Sequence, residues 1–202
     1  MKKYLIFYYL LAFNAFAQNP LGEVKACSAD GLKQMHPSLN LIDNGSFEDP
    51  LLAEGSWEVF SHINGWVGIA GPGIEIQNHA AGTPFDGEQY VELDSHANSV
   101  MEQTVAVEPN KHYCLKFAYS PRPGLALASA GIRVWINHKA VKLVKSSGDG
   151  LSDTQWKLIY IDWRSPRSVA QASVRFEAIG ISDSLGGYVD AVEMYELGTM
   201  RR

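Results

Sequence analysis

Short runs of alternating apolar and polar residues, separated by turn-forming residues, recur along most of this chain. The runs at 90–94, 101–107 and 114–119 show this period of two, which is typical of β-strands with one buried face. Clusters such as Pro-Arg-Pro-Gly at 121–124 mark the turns between runs. We expect ten or eleven strands and no long amphipathic helix. The pattern predicts an all-β fold, an antiparallel β-sandwich or jelly roll, and disfavours parallel α/β folds.

The alternating pattern predicts a single domain over residues 39–197, with Leu39–Ile42 as its first strand. The length of 202 residues suits one substantial domain. An N-terminal extension over 18–38 precedes it, with a short helical turn expected around 29–35. A short tail, 198–202, follows the domain.

The charge balance bears on the class of partner. The chain has 17 basic and 22 acidic residues, for a formal net charge of −5. A nucleic-acid binder needs a basic face, so no nucleic-acid partner is expected. With 46% hydrophobic residues, the composition is that of a globular protein.

The N-terminus has the three regions of a secretory signal peptide. Lys2 and Lys3 are followed by an apolar run over 4–13, and then by Ala15 and Ala17 at the positions that signal peptidase requires. Ten apolar residues are too few to span a bilayer, which needs about 20. We therefore expect cleavage after Ala17, a secreted or periplasmic protein, and no membrane span.

The two cysteines, Cys27 and Cys114, are expected to form a disulfide. An even cysteine count in an oxidising compartment favours pairing. The alternative is two buried thiols that never meet.

Several motifs occur in the order found in a known class of β-domains. They are Asn40–Pro50, Gly65-Trp66, 86–94, 103–105, 113–122 and 180–192. Together they resemble galactose-binding-like jelly-roll domains. These domains include carbohydrate-binding modules and a secreted, cell-wall-associated family of formerly unknown function. The resemblance implies a jelly roll over nearly all of 39–197 and a glycan or polysaccharide partner.

The same resemblance implies a structural calcium ion. In such domains a glutamate in the first motif and an aspartate in the last strand commonly bind calcium, and they correspond here to Glu48 and Asp190. A carbonyl near Ser46 and the turn at Asp86 are the further expected ligands. Calcium prefers six to eight oxygen ligands, which carboxylates and turn carbonyls supply.

Polar residues at expected strand ends form a first candidate ligand site. They are Asp94, His96, Asn98, Tyr119, Arg122 and Asp183. Gathered at one rim, these groups suit hydrogen bonding to vicinal hydroxyls or to a uronate. The alternative is an internal network that braces loops, with Arg122 paired to Asp94 or Asp183.

A second candidate site lies on a sheet face. Alternation places Ile132, Val134 and Ile136 in the core. The side chains of Arg133, Trp135, Asn137 and Glu177 therefore point outward. An exposed tryptophan on a sheet is a platform for stacking a sugar, unless a loop covers it.

These features predict a secreted, non-catalytic carbohydrate-binding protein with a structural calcium ion. The first alternative is a protein-interaction or adhesion module that contacts an envelope or host protein. A small hydrolase is the third hypothesis, although the sequence contains no G-x-S-x-G or H-E-x-x-H motif.

Overall fold

The computed structural model describes residues 26–33, 35, 36 and 39–198. The expected signal peptide, its cleavage site after Ala17 and most of the tail lie outside these residues. The short helix α1 (Ala29–Leu32) lies within the expected helical turn and begins after Ser28, whose hydroxyl accepts the N–H of Gly31 at 3.3 Å. In the described part of the chain no helix is long and apolar enough to cross a membrane.

The predicted all-β antiparallel sandwich is confirmed. The strands are β1 (Trp57–Phe60), β2 (His62–Ile63), β3 (Trp66–Ala70), β4 (Ile74–Asn78), β5 (Gln89–Glu92), β6 (Val100–Ala106), β7 (His112–Pro121), β8 (Gly131–Ile136), β9 (Lys139–Lys145), β10 (Lys157–Arg164), β11 (Gln171–Ile179) and β12 (Gly187–Leu197). Sheet A has the order β1-β4-β5-β12-β7-β10, and sheet B has the order β2-β3-β6-β11-β8-β9. The last strand, β12, therefore lies inside sheet A, between β5 and β7.

A chain of aromatic rings joins the two sheets through the core. Trp66 of sheet B contacts Phe47 and Phe176, with ring centroids 5.7 and 5.9 Å apart. Phe176 in turn contacts Phe117 of sheet A at 5.1 Å, edge to face. All four side chains are buried. The first motif of the domain thus contributes Phe47 to the core.

Two edge features differ from the predicted strands. Leu39–Ile42 is not a strand. Leu41 donates its N–H to the Met194 carbonyl at 2.8 Å, but the side chain of Asn40 accepts the N–H groups of Ile42 and Met194 at 3.1 and 2.9 Å. The runs at β2 and β9 carry no clear strand signal in the sequence. Strand β9 is an edge strand whose only buried side chain is Val144, so it lacks a strong apolar alternation.

The predicted disulfide is confirmed. Cys27, next to α1, is bonded to Cys114 of β7, with the two Cα atoms 5.1 Å apart. The cross-link ties the N-terminal extension to sheet A across a separation of 87 residues.

Candidate functional site

Polar side chains cover the outer face of sheet A on its β1-β4-β5 side. Alternation along β4 sends its two isoleucines into the core, so Glu75 and Gln77 point to the outer face. The strand register places Trp57 opposite Gln77, and Glu75 opposite Glu92. Cross-strand partners have Cβ atoms about 4.5–5.5 Å apart. These four side chains therefore form one continuous patch.

The side-chain amide of Gln77 joins the two carboxylates of this patch. Its Nε2 donates to Oε1 of Glu75 at 2.7 Å and to Oε2 of Glu92 at 2.6 Å. Its Oε1 accepts from the hydroxyl of Tyr90 at 2.8 Å. All four side chains are buried. Since carboxylate oxygens accept hydrogen bonds whereas a hydroxyl can donate or accept, the two carboxylates fix which side of the amide carries Nε2.

Arg122 supplies the positive charge of the patch. Its Nη1 donates to Oε2 of Glu92 at 2.7 Å, and the N–H of Gly186 donates to the other carboxylate oxygen. The Glu92 side chain is fully buried, whereas that of Arg122 is 26% exposed. Burial raises the pKa of Glu92 to about 8, and the positive charge of Arg122 opposes this shift. The expected alternative paired Arg122 with Asp94 or Asp183, but the structure pairs it with Glu92.

A cleft of about 350 Å³ opens above this patch, and we call it the Trp57 cleft. It is lined by Trp57, Glu75, Gln77, Ala80, Ala81, Ser95, His96, Arg122 and Ser184. Trp57 is 52% exposed, and its ring meets that of His96 edge-on, with centroids 6.2 Å apart. The cleft therefore offers an open aromatic surface beside fixed hydrogen-bonding groups.

The loop after β4 forms one wall of the cleft and is held down by aromatic side chains. The N–H of Ala81 donates to the hydroxyl of Tyr90 at 3.2 Å, and the hydroxyl of Tyr188 donates to the Ala81 carbonyl at 3.5 Å. Nε1 of Trp156 donates to the carbonyl of Thr83 at 2.8 Å. These bonds attach the wall to the sheet, so the cleft is largely preformed.

A second cavity is larger, at about 530 Å³, but its lining offers fewer kinds of polar group. It lies beside the N-terminal segment and is lined mainly by apolar side chains such as Met35 and Leu41. Its charged lining residues are two glutamates, Glu108 and Glu196. Ligand sites combine an apolar surface with a few convergent polar groups, so the Trp57 cleft is the better candidate despite its smaller volume.

Two of the predicted ligand residues, His96 and Arg122, line the Trp57 cleft. Three others lie together in the neighbouring loops. Oδ2 of Asp94 accepts the N–H of Asp183 at 3.3 Å, and the side chain of Asn98 donates to the Gly180 carbonyl at 3.1 Å. Asp94, Asn98 and Asp183 thus connect the loops beside the cleft but do not line it.

Tyr119 lies in the core and not at a binding rim. Its side chain is buried, and its hydroxyl donates to the Ala130 carbonyl and accepts the N–H of Ser146. The apolar alternation of β7 continues to this residue, which explains its inward direction. The structure therefore removes Tyr119 from the candidate ligand residues.

The second predicted site lies on the opposite side of the molecule, on the outer face of sheet B. Nε1 of Trp135 donates to Glu177 at 2.7 Å, and the guanidinium of Arg133 lies 5.8 Å from the Trp135 ring centroid. Oδ1 of Asn137 accepts the N–H of Ser173 at 3.0 Å. Glu177 and Arg133, on the same sheet face, therefore both contact Trp135.

The residues expected to hold calcium surround the segment 85–89. Oδ2 of Asp190 accepts the N–H groups of residues 85 and 86 at 2.8 and 3.0 Å. Oε1 of Glu48 accepts those of residues 88 and 89 at 2.9 and 3.0 Å. The intervening Gly87 has a φ of +66°, and a Cβ there would clash with Oε1 of Glu48. Both carboxylates therefore brace this turn.

This donor set does not fit calcium as the residues are placed. The other oxygen of Asp190 accepts the N–H of Ala191 at 2.6 Å. Backbone N–H groups present positive dipole ends where a cation would bind. Ser46 lies in the turn before Glu48, and Asp86 is exposed. Among the described residues, no group of three or more His, Cys, Asp or Glu side chains could hold a metal ion.

We accordingly expect calcium to leave the stability of the fold unchanged. A ligand that binds only the folded state raises the Tm. The Tm measured in excess calcium should therefore lie within about 1 °C of that measured in excess EGTA. A rise of several degrees in calcium would instead support the calcium site that the sequence resemblance implies.

Sequence reasoning missed Trp57, Glu75, Gln77 and Glu92. Alternation alone assigns Glu75 and Gln77 to the face opposite the core, and that signal is present in the sequence. What the sequence does not show is the register that brings Trp57 of one strand beside Gln77 of another.

Comparisons with known proteins find similar solved structures but no match by sequence. No protein-family model and no curated protein matches the sequence. The cleaved adhesin domain K1 of the Lys-gingipain from Porphyromonas gingivalis W83 is similar at 15% identity and a TM-score of 0.52, over 71% of this chain and 98% of that one. An arabinose-bound α-L-arabinofuranosidase is similar at 8% identity and a TM-score of 0.52, over 78% of this chain and 26% of that one.

Carbohydrate-binding modules also occur among the similar structures. One is the xylan-binding domain CBM22-1 of Xyn10C from Paenibacillus barcinonensis, at 11% identity and a TM-score of 0.48, over 73% of this chain and 99% of that one. Identities this low concern the fold alone. At that level, the two structures with a TM-score of 0.52 agree with the predicted β-sandwich fold.

Proposed function

We propose that this protein binds carbohydrate and that the Trp57 cleft holds the glycan. The observation that carries the proposal is the half-exposed ring of Trp57 beside a floor of buried polar groups that bond to one another. The C–H face of a pyranose packs on such a ring, while its hydroxyls bond to nearby polar groups. The cleft combines both requirements within about 350 Å³.

The fixed geometry of the floor favours binding. Gln77 is held by three hydrogen bonds, and Arg122 is held by Glu92. Side chains that are already ordered lose little conformational entropy when a ligand arrives. A preformed floor therefore supports recognition of a specific sugar.

The test is a glycan array with the purified protein, followed by calorimetric titration of the best hit. We expect Trp57→Ala to weaken binding at least about tenfold, because the variant loses the stacking surface. Trp135→Ala is the matched control, since it removes an aromatic ring from the opposite sheet, and its affinity should equal that of the wild type.

Two results would contradict this assignment. Loss of binding in Trp135→Ala with normal binding in Trp57→Ala would move the site to sheet B. A folded protein that binds no glycan on the array would favour the alternative of an envelope or host protein as partner, which affinity capture would then identify.

We also propose that the protein works outside the cytoplasm, as a secreted or periplasmic protein. The Cys27–Cys114 disulfide supports this location, because disulfides persist in oxidising compartments. The predicted signal peptide agrees with it. N-terminal sequencing of the exported protein should give Gln18 as the first residue, and retention of the leader would contradict the predicted cleavage.

A further inference from the structure

The charges of the Trp57 cleft bear on the class of sugar that it accepts, and this inference rests on the proposed function. Arginine beside polar groups is equally suited, in principle, to sugar hydroxyls or to the carboxylate of a uronic acid. The contacts of Arg122 distinguish the two cases.

Arg122 is already engaged by a carboxylate of the protein. Its Nη1 bonds to Oε2 of Glu92 at 2.7 Å, and the Glu92 side chain is fully buried. Among the described residues that line the cleft, Arg122 and His96 are the only basic side chains. A uronate would therefore meet a guanidinium that already bonds to a carboxyl group of the protein.

Glu75 adds a second carboxylate at the surface of the cleft. It lies opposite Glu92 in the strand register, and Gln77 bonds to both at 2.7 and 2.6 Å. Gln77 thus leaves no further N–H on its amide for a ligand. A carboxylate of the sugar would meet the carboxylate of Glu75 beside a guanidinium that already bonds to Glu92, which is an arrangement that disfavours anionic partners.

Hydroxyl groups suit these contacts better. The carboxylate of Glu75 accepts hydrogen bonds but cannot donate any, and the remaining N–H groups of Arg122 donate but cannot accept. A sugar hydroxyl can donate to the first and accept from the second, whereas a sugar carboxylate offers acceptors alone. We infer that the Trp57 cleft selects uncharged sugars and excludes uronic acids, with Glu75 as the residue that determines this specificity.

Matched pairs of oligosaccharides test the inference directly. The probes are cello-oligosaccharides with their C6-oxidised cellouronate counterparts, and galactan oligosaccharides with galacturonan oligosaccharides of equal length. Calorimetric titration of the wild-type protein should show at least tenfold weaker binding of the uronate member of whichever pair binds, by the like-charge argument. This comparison needs no variant.

Glu75→Gln assigns the effect to its residue. The amide keeps the shape and an acceptor oxygen but removes one negative charge, so the preference for the uncharged member should shrink at least fivefold, roughly. Glu102→Gln, a carboxylate change on the outer face of sheet B, should leave the preference unchanged. Equal or tighter binding of a uronate by the wild type would overturn the inference and leave carbohydrate binding intact. If the protein binds none of the four probe classes and no glycan on the array, both the inference and the proposed carbohydrate binding are contradicted.

Discussion

Replacing Arg122 with alanine should destabilise the folded protein by about 3 kcal/mol above pH 8, and by much less near pH 5. Removing one partner of a buried ion pair leaves the other charge uncompensated, which costs roughly 3–5 kcal/mol. The lower figure applies because the Arg122 side chain is 26% exposed and water enters beside it. Near pH 5 the Glu92 carboxyl is protonated, because burial raises its pKa to about 8.

The same pKa shift determines how the stability of the wild-type protein changes with pH. The ordinary pKa of 4.5 applies to Glu92 in the unfolded chain, and the folded value is about 8. Between these values the folded protein binds more protons than the unfolded chain does. This carboxyl therefore contributes stability that is complete below pH 4.5 and is lost as the pH rises through about 8.

Urea unfolding at the two pH values checks this prediction, with Arg175→Ala as the matched control. Arg175 pairs with Glu102 on the outer face of sheet B, where the Glu102 side chain keeps 22% exposure. Its loss should cost about 1 kcal/mol or less at either pH. Equal losses for the two variants at high pH would show that the buried carboxylate of Glu92 does not depend on Arg122.

Removing the disulfide should be the largest single loss of stability. Cross-linking residues 87 positions apart restricts the unfolded chain, and the chain-entropy model assigns about 4 to 5 kcal/mol to a loop of this size. Cys27→Ala is the preferred variant, because Cys27 is only half-buried whereas Cys114 lies in the core. The change therefore opens the loop without leaving a cavity at the buried end.

The free energy of unfolding of Cys27→Ala, measured with urea, provides the test. Ser28→Ala is the control, since it perturbs the same short helix by removing its N-cap and should cost about 1 kcal/mol. If Cys27→Ala lost no more than this control, the cross-link would contribute little, and the N-terminal segment would be stably docked by its other contacts.

Much of the fold could be predicted because alternation reports burial directly. Ile132, Val134 and Ile136 were assigned to the core on this basis, and all three are buried. Strand β9 was missed for the converse reason, since an edge strand buries too few side chains to show a period of two. The order of strands is a different matter, because it depends on contacts between distant segments that local patterns do not encode.

The candidate site shows this limit more clearly. Arg122 and His96 could be selected as polar residues in loops, and they line the cleft. Trp57 and Glu75 lie in separate strands that each look ordinary, and only the pairing of β1, β4 and β5 brings them together. Sequence patterns can thus indicate which face a side chain occupies, while its neighbours on that face depend on the register.

The position of β12 also has a consequence for the order of events during synthesis. Strands β5 and β7 are synthesised before β12, the 11-residue strand that lies between them. Until β12 is made, each of the two has one unpaired edge. Unpaired edges are templates for pairing with other chains. Until β12 arrives, sheet A consists of two separate pieces, β1-β4-β5 and β7-β10. A nascent chain that stops before residue 187 is therefore a substrate for chaperones and a risk for aggregation.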